Sequence, residues 1–189
     1  MVLMQIVPRI AFYPSLLYNI VLEKLSFHNW YNRIDEHIIL GALPFRHMTE
    51  QLSTEENVKG VITMNEEFET RFLVNTQQEW EENGIKQLRL DTEDFINSPT
   101  LTNIIEGMKF IEQIKRDNGT VYVHCKAGRT RSATIVACYI IQKVGCSPTE
   151  AVDFIRGKRS HILLRQKQMD SIEEFYNTIK NKPDVNDTT

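Results

Sequence analysis

From residue 37 onward, short β-branched runs alternate with longer segments whose apolar positions recur at helical spacing. The β-branched runs predict strands at residues 38–40, 58–64, 86–90 and 120–124. Strands that alternate with helices are typical of an α/β fold, in which helices connect parallel strands. We therefore predict a single domain, residues 27–182, with a central, mostly parallel sheet flanked by helices.

Capping residues and apolar periodicity predict the helices. Thr76 and Ser147 each precede a glutamate by three positions, so each begins a capping box, in which the hydroxyl and the carboxylate bind each other's backbone amides. Apolar residues at helical spacing predict helices at residues 101–115, 133–144 and 166–180. The last residues, 183–189, are polar and are expected to fray.

Composition narrows the class of protein. The chain has 189 residues, and its net charge of -3 at pH 7 gives no general electrostatic attraction to nucleic acid. Its three cysteines include no C-x-x-C pair, which argues against a disulfide framework and against a zinc site. We expect a protein of a reducing compartment that binds no nucleic acid and needs no metal or cofactor.

The first 26 residues form an apolar, partly aromatic segment with no charged residue between Arg9 and Glu23. The apolar run is too short and too interrupted to cross a bilayer. A secretory signal, an organelle-import helix and an interfacial membrane helix each match only part of the pattern. A helix that simply packs on the domain matches it at least as well, so the sequence leaves these alternatives open.

The predicted strand at residues 120–124 leads into the loop His-Cys-Lys-Ala-Gly-Arg-Thr-Arg-Ser, residues 124–132, and an apolar helical run follows. A strand, tight loop and helix in this order turn backbone amides and a helix N-terminus towards one point, where they can bind a phosphate dianion. The sequence therefore predicts a phosphate-binding loop, which consists of Lys126, Ala127, Gly128, Arg129, Thr130 and Arg131.

Cys125 and Arg131 are the candidate catalytic residues of this loop. Amides that attract phosphate also stabilise a thiolate, so we expect Cys125 to be an activated nucleophile rather than an inert buried thiol. Arg131 presents a planar guanidinium that can bind two phosphoryl oxygens at once. Ser132 can donate a hydrogen bond to the sulfur, and His124 is expected to brace the loop.

The loop matches the His-Cys-x5-Arg-Ser/Thr signature, and by it the chain resembles the cysteine-dependent protein tyrosine and dual-specificity phosphatases. Residues 12–18, 30–35, 40–44 and 60–67 are similar to the mitochondrial phosphatidylglycerophosphate phosphatases of that superfamily. The resemblance implies a dual-specificity-phosphatase fold and removal of the terminal phosphate of phosphatidylglycerophosphate in a membrane surface, through a phosphocysteine. It also implies a place in cardiolipin synthesis, on the matrix side of the mitochondrial inner membrane.

Two other functions compete with this expectation. A protein phosphatase that acts on phosphotyrosine, phosphoserine or phosphothreonine would use the same catalytic residues and would have phosphoprotein partners. A catalytically silent module that binds phosphoproteins or lipids is disfavoured, because Cys125, Arg131 and an acidic loop are all present.

An alkoxide leaving group needs a proton in the transition state, so a carboxylic acid must reach the site. Residues 91–96 follow a predicted strand and offer three carboxylates. By the resemblance we assign the general acid to Asp94, with Asp91 as the competitor.

Two cations of the loop bear on the substrate. Lys126 and Arg129 could bind a second phosphate, or they could be solvated or paired with carboxylates. The basic segment at residues 156–167 could face anionic lipid or could be a solvated helix end.

Three further residues are expected to support the site. Glu66 and Glu67 follow a predicted strand, and by the resemblance their loop lines the site, where they would orient an arginine such as Arg131. Gln168 matches, by the resemblance, a glutamine that steers the hydrolytic water.

Overall fold

The computed structural model describes residues 12–18, 20–21, 29–93 and 97–181. Two of the predicted features, Asp94 and the polar tail at residues 183–189, lie outside this part of the chain. The described strands are β1 (Tyr31–Arg33), β2 (Ile38–Gly41), β3 (Val58–Thr63), β4 (Lys86–Arg89) and β5 (Thr120–His124).

The strands form one sheet in the order β1-β2-β5-β3-β4, so β5 lies at its centre. All neighbouring pairs are parallel except β1 and β2, which are antiparallel. The mostly parallel sheet is thereby confirmed, and each predicted strand agrees with the structure to within one residue. Strand β1 was not predicted, because Tyr-Asn-Arg lacks the β-branched pattern and its extended form is fixed by pairing with β2.

Helices cover both faces of the sheet. They are α1 (Thr49–Thr54), preceded by a 3₁₀ turn at Arg46–Met48, then α2 (Glu67–Thr70), α3 (Gln77–Glu82), α4 (Leu101–Arg116), α5 (Arg131–Val144), α6 (Pro148–Lys158) and α7 (Gln166–Lys180). Both predicted capping boxes are present, at the starts of α3 and α6. Residues 12–18 and 20–21 are also helical, and we call them the N-terminal helical segment.

The central strand serves two hydrophobic layers. Val121 and Val123 pack in one layer with α4, α5, α6 and α7, whereas Tyr122 points into the other layer with Trp80. Phe12 and Leu16 of the N-terminal helical segment are buried in this second layer. No helix among the described residues combines the length and apolar character needed to cross a membrane.

Candidate active site

Cys125 follows the central strand β5, at the edge of the sheet where the parallel strands have their carboxyl ends. Its side chain is buried and lines a cavity of about 250 Å³. The Ser132 hydroxyl donates a hydrogen bond of 3.2 Å to Cys125 Sγ. Of the six predicted loop residues, five line the cavity: Lys126, Ala127, Arg129, Thr130 and Arg131.

Gly128, the sixth loop residue, lies against β2. It has a φ of 63°, and a Cβ at this position would overlap the carbonyl group of Gly41. Both constraints require glycine. The backbone at this point can therefore approach the sheet closely enough to curl the loop around the cavity.

The carbonyl oxygens of the loop are held on its outer side by hydrogen bonds from the protein. Leu43 N donates to the carbonyl of Lys126, Arg159 to those of Ala127 and Gly128, Leu163 N to that of Arg129, and Thr134 N to that of Thr130. A loop whose carbonyls are fixed outside presents its amide N–H groups to an anion inside. The N-terminus of α5 points at the same cavity, which Thr130 and Arg131 line.

Arg159 lies beneath this loop and is only 2% exposed. Its Nε donates to the carbonyl of Gly128 at 2.8 Å and its Nη2 to that of Ala127 at 3.0 Å. Its Nη1 donates to Asn32 Oδ1 at 2.7 Å, which ties the loop to β1. Arg159 belongs to the basic segment at residues 156–167, for which a lipid-facing or a solvated position is expected, and for this buried residue both alternatives are wrong.

Arg159 could have been found from its helical phase. Val152 and Ile155 are buried on the inner face of α6, and Arg159, the C-cap residue, follows Ile155 by four positions on the same face. A cation in phase with an apolar stripe indicates a buried partner rather than solvent.

Arg131, the first residue of α5, is only 1% exposed and is held by the Glu69 carboxylate. Nη1 lies 2.8 Å from Glu69 Oε2, and Nη2 lies 3.1 Å from Oε1. Nη1 also donates to the carbonyl of Thr92 at 2.8 Å. The guanidinium is therefore fixed before any substrate arrives.

The carboxylate that orients Arg131 is thus not one of the two expected. Glu67 is exposed on α2, and Glu66 caps this helix, whereas Glu69 is fully buried. Helix α2 turns Glu69 inward, where its Oε2 also accepts a hydrogen bond from the backbone N–H of Glu66. The expectation for Glu66 and Glu67 is corrected to Glu69, which lies three positions after Glu66 and two after Glu67.

Thr92 and Asn97, which lie on either side of residues 94–96, are both bonded to residues of the site. The carbonyl of Thr92 accepts from Arg131 Nη1. The carbonyl of Asn97 accepts from Gln168 Nε2 at 3.2 Å, and both Asn97 and Gln168 line the cavity. The competitor Asp91 instead forms an ion pair of 3.2 Å with Arg89 and lines a separate acidic cleft.

His124, directly before the nucleophile, is fully buried. Burial, with smaller contributions from the charges of Arg89 and Arg131, lowers the pKa of His124 to about 3. Its Nε2 lies 3.0 Å from Thr63 Oγ1 on the neighbouring strand β3. A neutral imidazole bonded across the sheet fits the bracing role expected for His124 rather than proton transfer.

Cationic and apolar side chains share the mouth of the cavity. Arg129 is fixed there by a hydrogen bond of 2.9 Å from its Nε to the carbonyl of His161, and Arg165 lines the cavity at the start of α7. Tyr18 and Leu163 line the same mouth and are 59% and 42% exposed. The mouth therefore suits a ligand that has both anionic and apolar parts.

Comparison with known proteins assigns the family. Residues 46–178 match the model of the dual specificity phosphatase catalytic domain. The chain belongs to the dual specificity phosphatase family. Its fold and its enzyme class, a cysteine-dependent phosphatase, are thereby confirmed.

Individual relatives of this phosphatase match it along most of its length. It is 51% identical over 174 residues to "Phosphatidylglycerophosphatase and protein-tyrosine phosphatase 1" of Homo sapiens. The aligned part covers 90% of this chain and 87% of that protein. The protein of the same name from Mus musculus is 49% identical, and the aligned part covers 90% of each of the two chains. The crystal structure of PTPMT1 in complex with PI(5)P is similar with a TM-score of 0.79 at 51% identity, over 80% of this chain and 97% of that chain.

Proposed function

We propose that this phosphatase hydrolyses the terminal phosphomonoester of phosphatidylglycerophosphate and releases phosphatidylglycerol, a step of cardiolipin synthesis. The observation that carries the proposal is the identity of 49% and 51% to proteins named phosphatidylglycerophosphatase over 90% of the chain. The similarity therefore extends beyond residues 46–178, which the family model matches. The cavity around Cys125 supports it, because cationic and apolar side chains border the same opening.

In the first chemical step, Cys125 Sγ attacks the terminal phosphorus as the phosphorus–oxygen bond to glycerol breaks. Asp94 donates its proton to the departing glycerol oxygen, so that an alcohol leaves rather than an alkoxide. The loop amides and Arg131 hold the equatorial oxygens, where negative charge accumulates. The hydrogen bonds from Arg131 to Thr92 and from Gln168 to Asn97, together with the ion pair of Asp91 to Arg89, support Asp94 over Asp91 for this role.

In the second step, water attacks the phosphocysteine. Asp94, now a carboxylate, takes a proton from the water as the new oxygen–phosphorus bond forms and the sulfur–phosphorus bond breaks. Ser132 stabilises the departing thiolate through its hydrogen bond to Cys125 Sγ, and Gln168 helps to position the water. Inorganic phosphate then leaves and the thiolate is restored.

The substrate carries a second phosphate, a diester, one glycerol unit away from the first. Arg129, Arg165 and Lys126 border the cavity that holds Cys125. We assign the diester to these cations, because charge-assisted hydrogen bonds to a phosphate are among the stronger polar contacts. The proposed site of action is the matrix face of the mitochondrial inner membrane, with residues 1–26 as the targeting or membrane-associating segment.

The test is phosphate release at equal concentrations of phosphatidylglycerophosphate in vesicles and of phosphotyrosine and phosphothreonine peptides. We expect a kcat/KM for the lipid at least about tenfold above that for any peptide, because only the lipid provides a diester for the cations at the mouth. The Cys125→Ser variant is the background control. A higher kcat/KM for the peptides would contradict the proposal.

A protein phosphatase is the second candidate, and one observation favours it. The human and mouse relatives are named for protein-tyrosine phosphatase as well as for phosphatidylglycerophosphatase. The peptide arm of the same experiment measures it directly.

A further inference from the structure

The N-terminal helical segment is attached to the domain by one face only. Phe12 and Leu16, four residues apart, are buried in the second hydrophobic layer. Lys126 Nζ lies 5.6 Å from the ring centroid of Phe12, so the attachment reaches the phosphate-binding loop. The segment is therefore part of the wall beside the site.

The opposite side of this segment is exposed and consists of apolar or aromatic residues. Leu17 is 61% exposed and Tyr18 59% exposed. A helix that faces water normally has polar side chains on that side, and contiguous exposed apolar surface marks an interaction site. We call this surface the outer face, which consists of Tyr13, Pro14, Leu17, Tyr18 and Val21.

Helix α7 shows what a solvated helix of this domain looks like. Its Ile172 and Phe175 are buried in the other layer, as Phe12 and Leu16 are in theirs. Its exposed positions are all polar or charged: Gln166, Lys167, Asp170, Glu173, Glu174, Asn177 and Lys180. The outer face differs from this pattern, and the sequence has no charge between Arg9 and Glu23.

The outer face borders the active site. Tyr18 belongs both to this face and to the lining of the cavity that holds Cys125. Leu163 adds an exposed apolar side chain to the mouth from another part of the chain, and Arg129 and Arg165 add positive charge. Tyrosine is enriched at the interface between membrane and water, and exposed cations attract anionic headgroups.

We propose that the outer face, together with Leu163, docks this phosphatase on an anionic phospholipid bilayer with the cavity facing the headgroups. The proposal deepens the proposed function, on which it rests, because a substrate that stays in the bilayer can reach Cys125 only if the mouth of the cavity lies at headgroup depth. Apolar side chains supply the insertion, and the cations at the mouth select an anionic surface.

The test is flotation of the full chain with vesicles of phosphatidylcholine that contain phosphatidylglycerol. The variant Leu17→Asp/Val21→Asp places two charges on the outer face. We expect it to lose binding about tenfold or more, since each apolar side chain withdrawn from lipid weakens partition severalfold. The matched control is Val144→Asp/Phe154→Asp, which places the same charges on two exposed apolar residues, 65% and 45% exposed, outside the outer face and the cavity lining.

Two substrates separate docking from chemistry. The outer-face variant should lose turnover of phosphatidylglycerophosphate in vesicles about tenfold, yet stay within about twofold of wild type on the soluble ester p-nitrophenyl phosphate. If wild type floats but does not hydrolyse the vesicle lipid, the proposed function fails while the docking surface stands. If wild type hydrolyses the lipid and the outer-face variant floats as well as wild type, the docking surface is wrong.

A second variant reports insertion without adding charge. Leu17→Trp should show a blue-shifted emission component on mixing with the same vesicles, and this component should be quenched by brominated lipid. The emission of the added tryptophan is the variant spectrum minus the wild-type spectrum. If this difference is the same with and without vesicles, the proposal is overturned. A second result would also overturn it: a wild type that is a dimer and an outer-face variant that is a monomer, with equal flotation of the two. In that case a second copy of the chain would cover the face.

Discussion

Two buried arginines lie at the phosphate-binding loop, Arg131 within it and Arg159 beneath it, and they differ in what compensates their charge. Arg131, on the cavity side, forms a two-point ion pair with the buried carboxylate of Glu69. The described hydrogen bonds of Arg159, beneath the loop, go to neutral oxygens, three of which belong to Ala127, Gly128 and Asn32.

This difference separates two tasks. A bidentate carboxylate fixes the guanidinium of Arg131 for a substrate, whereas neutral carbonyls let Arg159 shape the loop and keep its charge for the anions above it. Burial lowers the pKa of Arg159 to about 10, and the charge of Cys125 acts in the opposite direction. Arg159 therefore remains a cation at neutral pH, beneath the nucleophile.

The largest effect is expected from Arg131→Lys, which keeps the charge but loses the planar fork. We expect kcat on p-nitrophenyl phosphate to fall about a thousandfold, because a donor to the transition state is lost, with only a small loss of stability. Steady-state kinetics and thermal melting of the same preparations measure both. A kcat within about fivefold of wild type would show that the guanidinium of Arg131 does not bind the reacting phosphate in the transition state.

Glu69→Gln is expected to have the next largest effect. It preserves the shape of the side chain but leaves the charge of Arg131 buried without its anion, which costs about 3 kcal/mol of unfolding free energy and about a hundredfold in kcat. Glu67→Gln, on the exposed face of the same short helix, is the matched control and should be close to wild type. Equal losses in the two variants would contradict the assignment of Glu69.

Arg159→Met is expected to act mainly on stability. Carbonyl oxygens of the loop lose their donors, so the free energy of unfolding should fall by about 2 to 4 kcal/mol and kcat/KM by about tenfold. Arg156→Met, three residues earlier in an exposed ion pair with Asp153, should cost less than about 1 kcal/mol. Urea unfolding of both variants measures the difference, and a fully stable Arg159→Met would remove the proposed anchor.

The smallest effect is expected from His124, at the end of β5 directly before the nucleophile. Its pKa is about 3 in the folded chain and about 6.5 when unfolded, so below pH 6.5 only the unfolded chain binds the proton. The stability contribution is fully present above pH 6.5 and falls by about 1.4 kcal/mol per pH unit as pH is lowered towards 3. His124→Asn removes this titrating group. The free energy of unfolding, measured at pH 7, 6 and 5, should therefore fall less steeply with decreasing pH, by up to about 1.4 kcal/mol per pH unit. An unchanged slope would mean that His124 is protonated in the fold.

The local part of the site could be predicted from the sequence, because its signals lie within a few residues of each other. The strand, Cys125, the glycine and Arg131 follow at fixed offsets, and helix α7 began and ended as expected. Pairing across the chain could not be predicted in the same way. Glu69 and Arg131 are 62 residues apart, and which glutamate of the segment turns inward is decided by the short helix α2.

Arg159 was misassigned for a related reason. Composition marks residues 156–167 as basic, but it does not distinguish a cation at the surface from one beneath a loop 31 residues earlier. Helical phase does make that distinction. The short strand β1 was missed because its three residues include no β-branched side chain, and its extended form is fixed by pairing with β2.

Detection of the covalent intermediate most directly tests whether Cys125 takes the phosphoryl group within the phosphate-binding loop. Turnover of phosphatidylglycerophosphate should be quenched in acid within milliseconds and the peptide that contains Cys125 analysed by mass spectrometry. We expect that peptide to gain the mass of one phosphoryl group, and the Cys125→Ser variant to gain none. Full turnover by Cys125→Ser, or a phosphoryl group found only on another residue, would contradict the account.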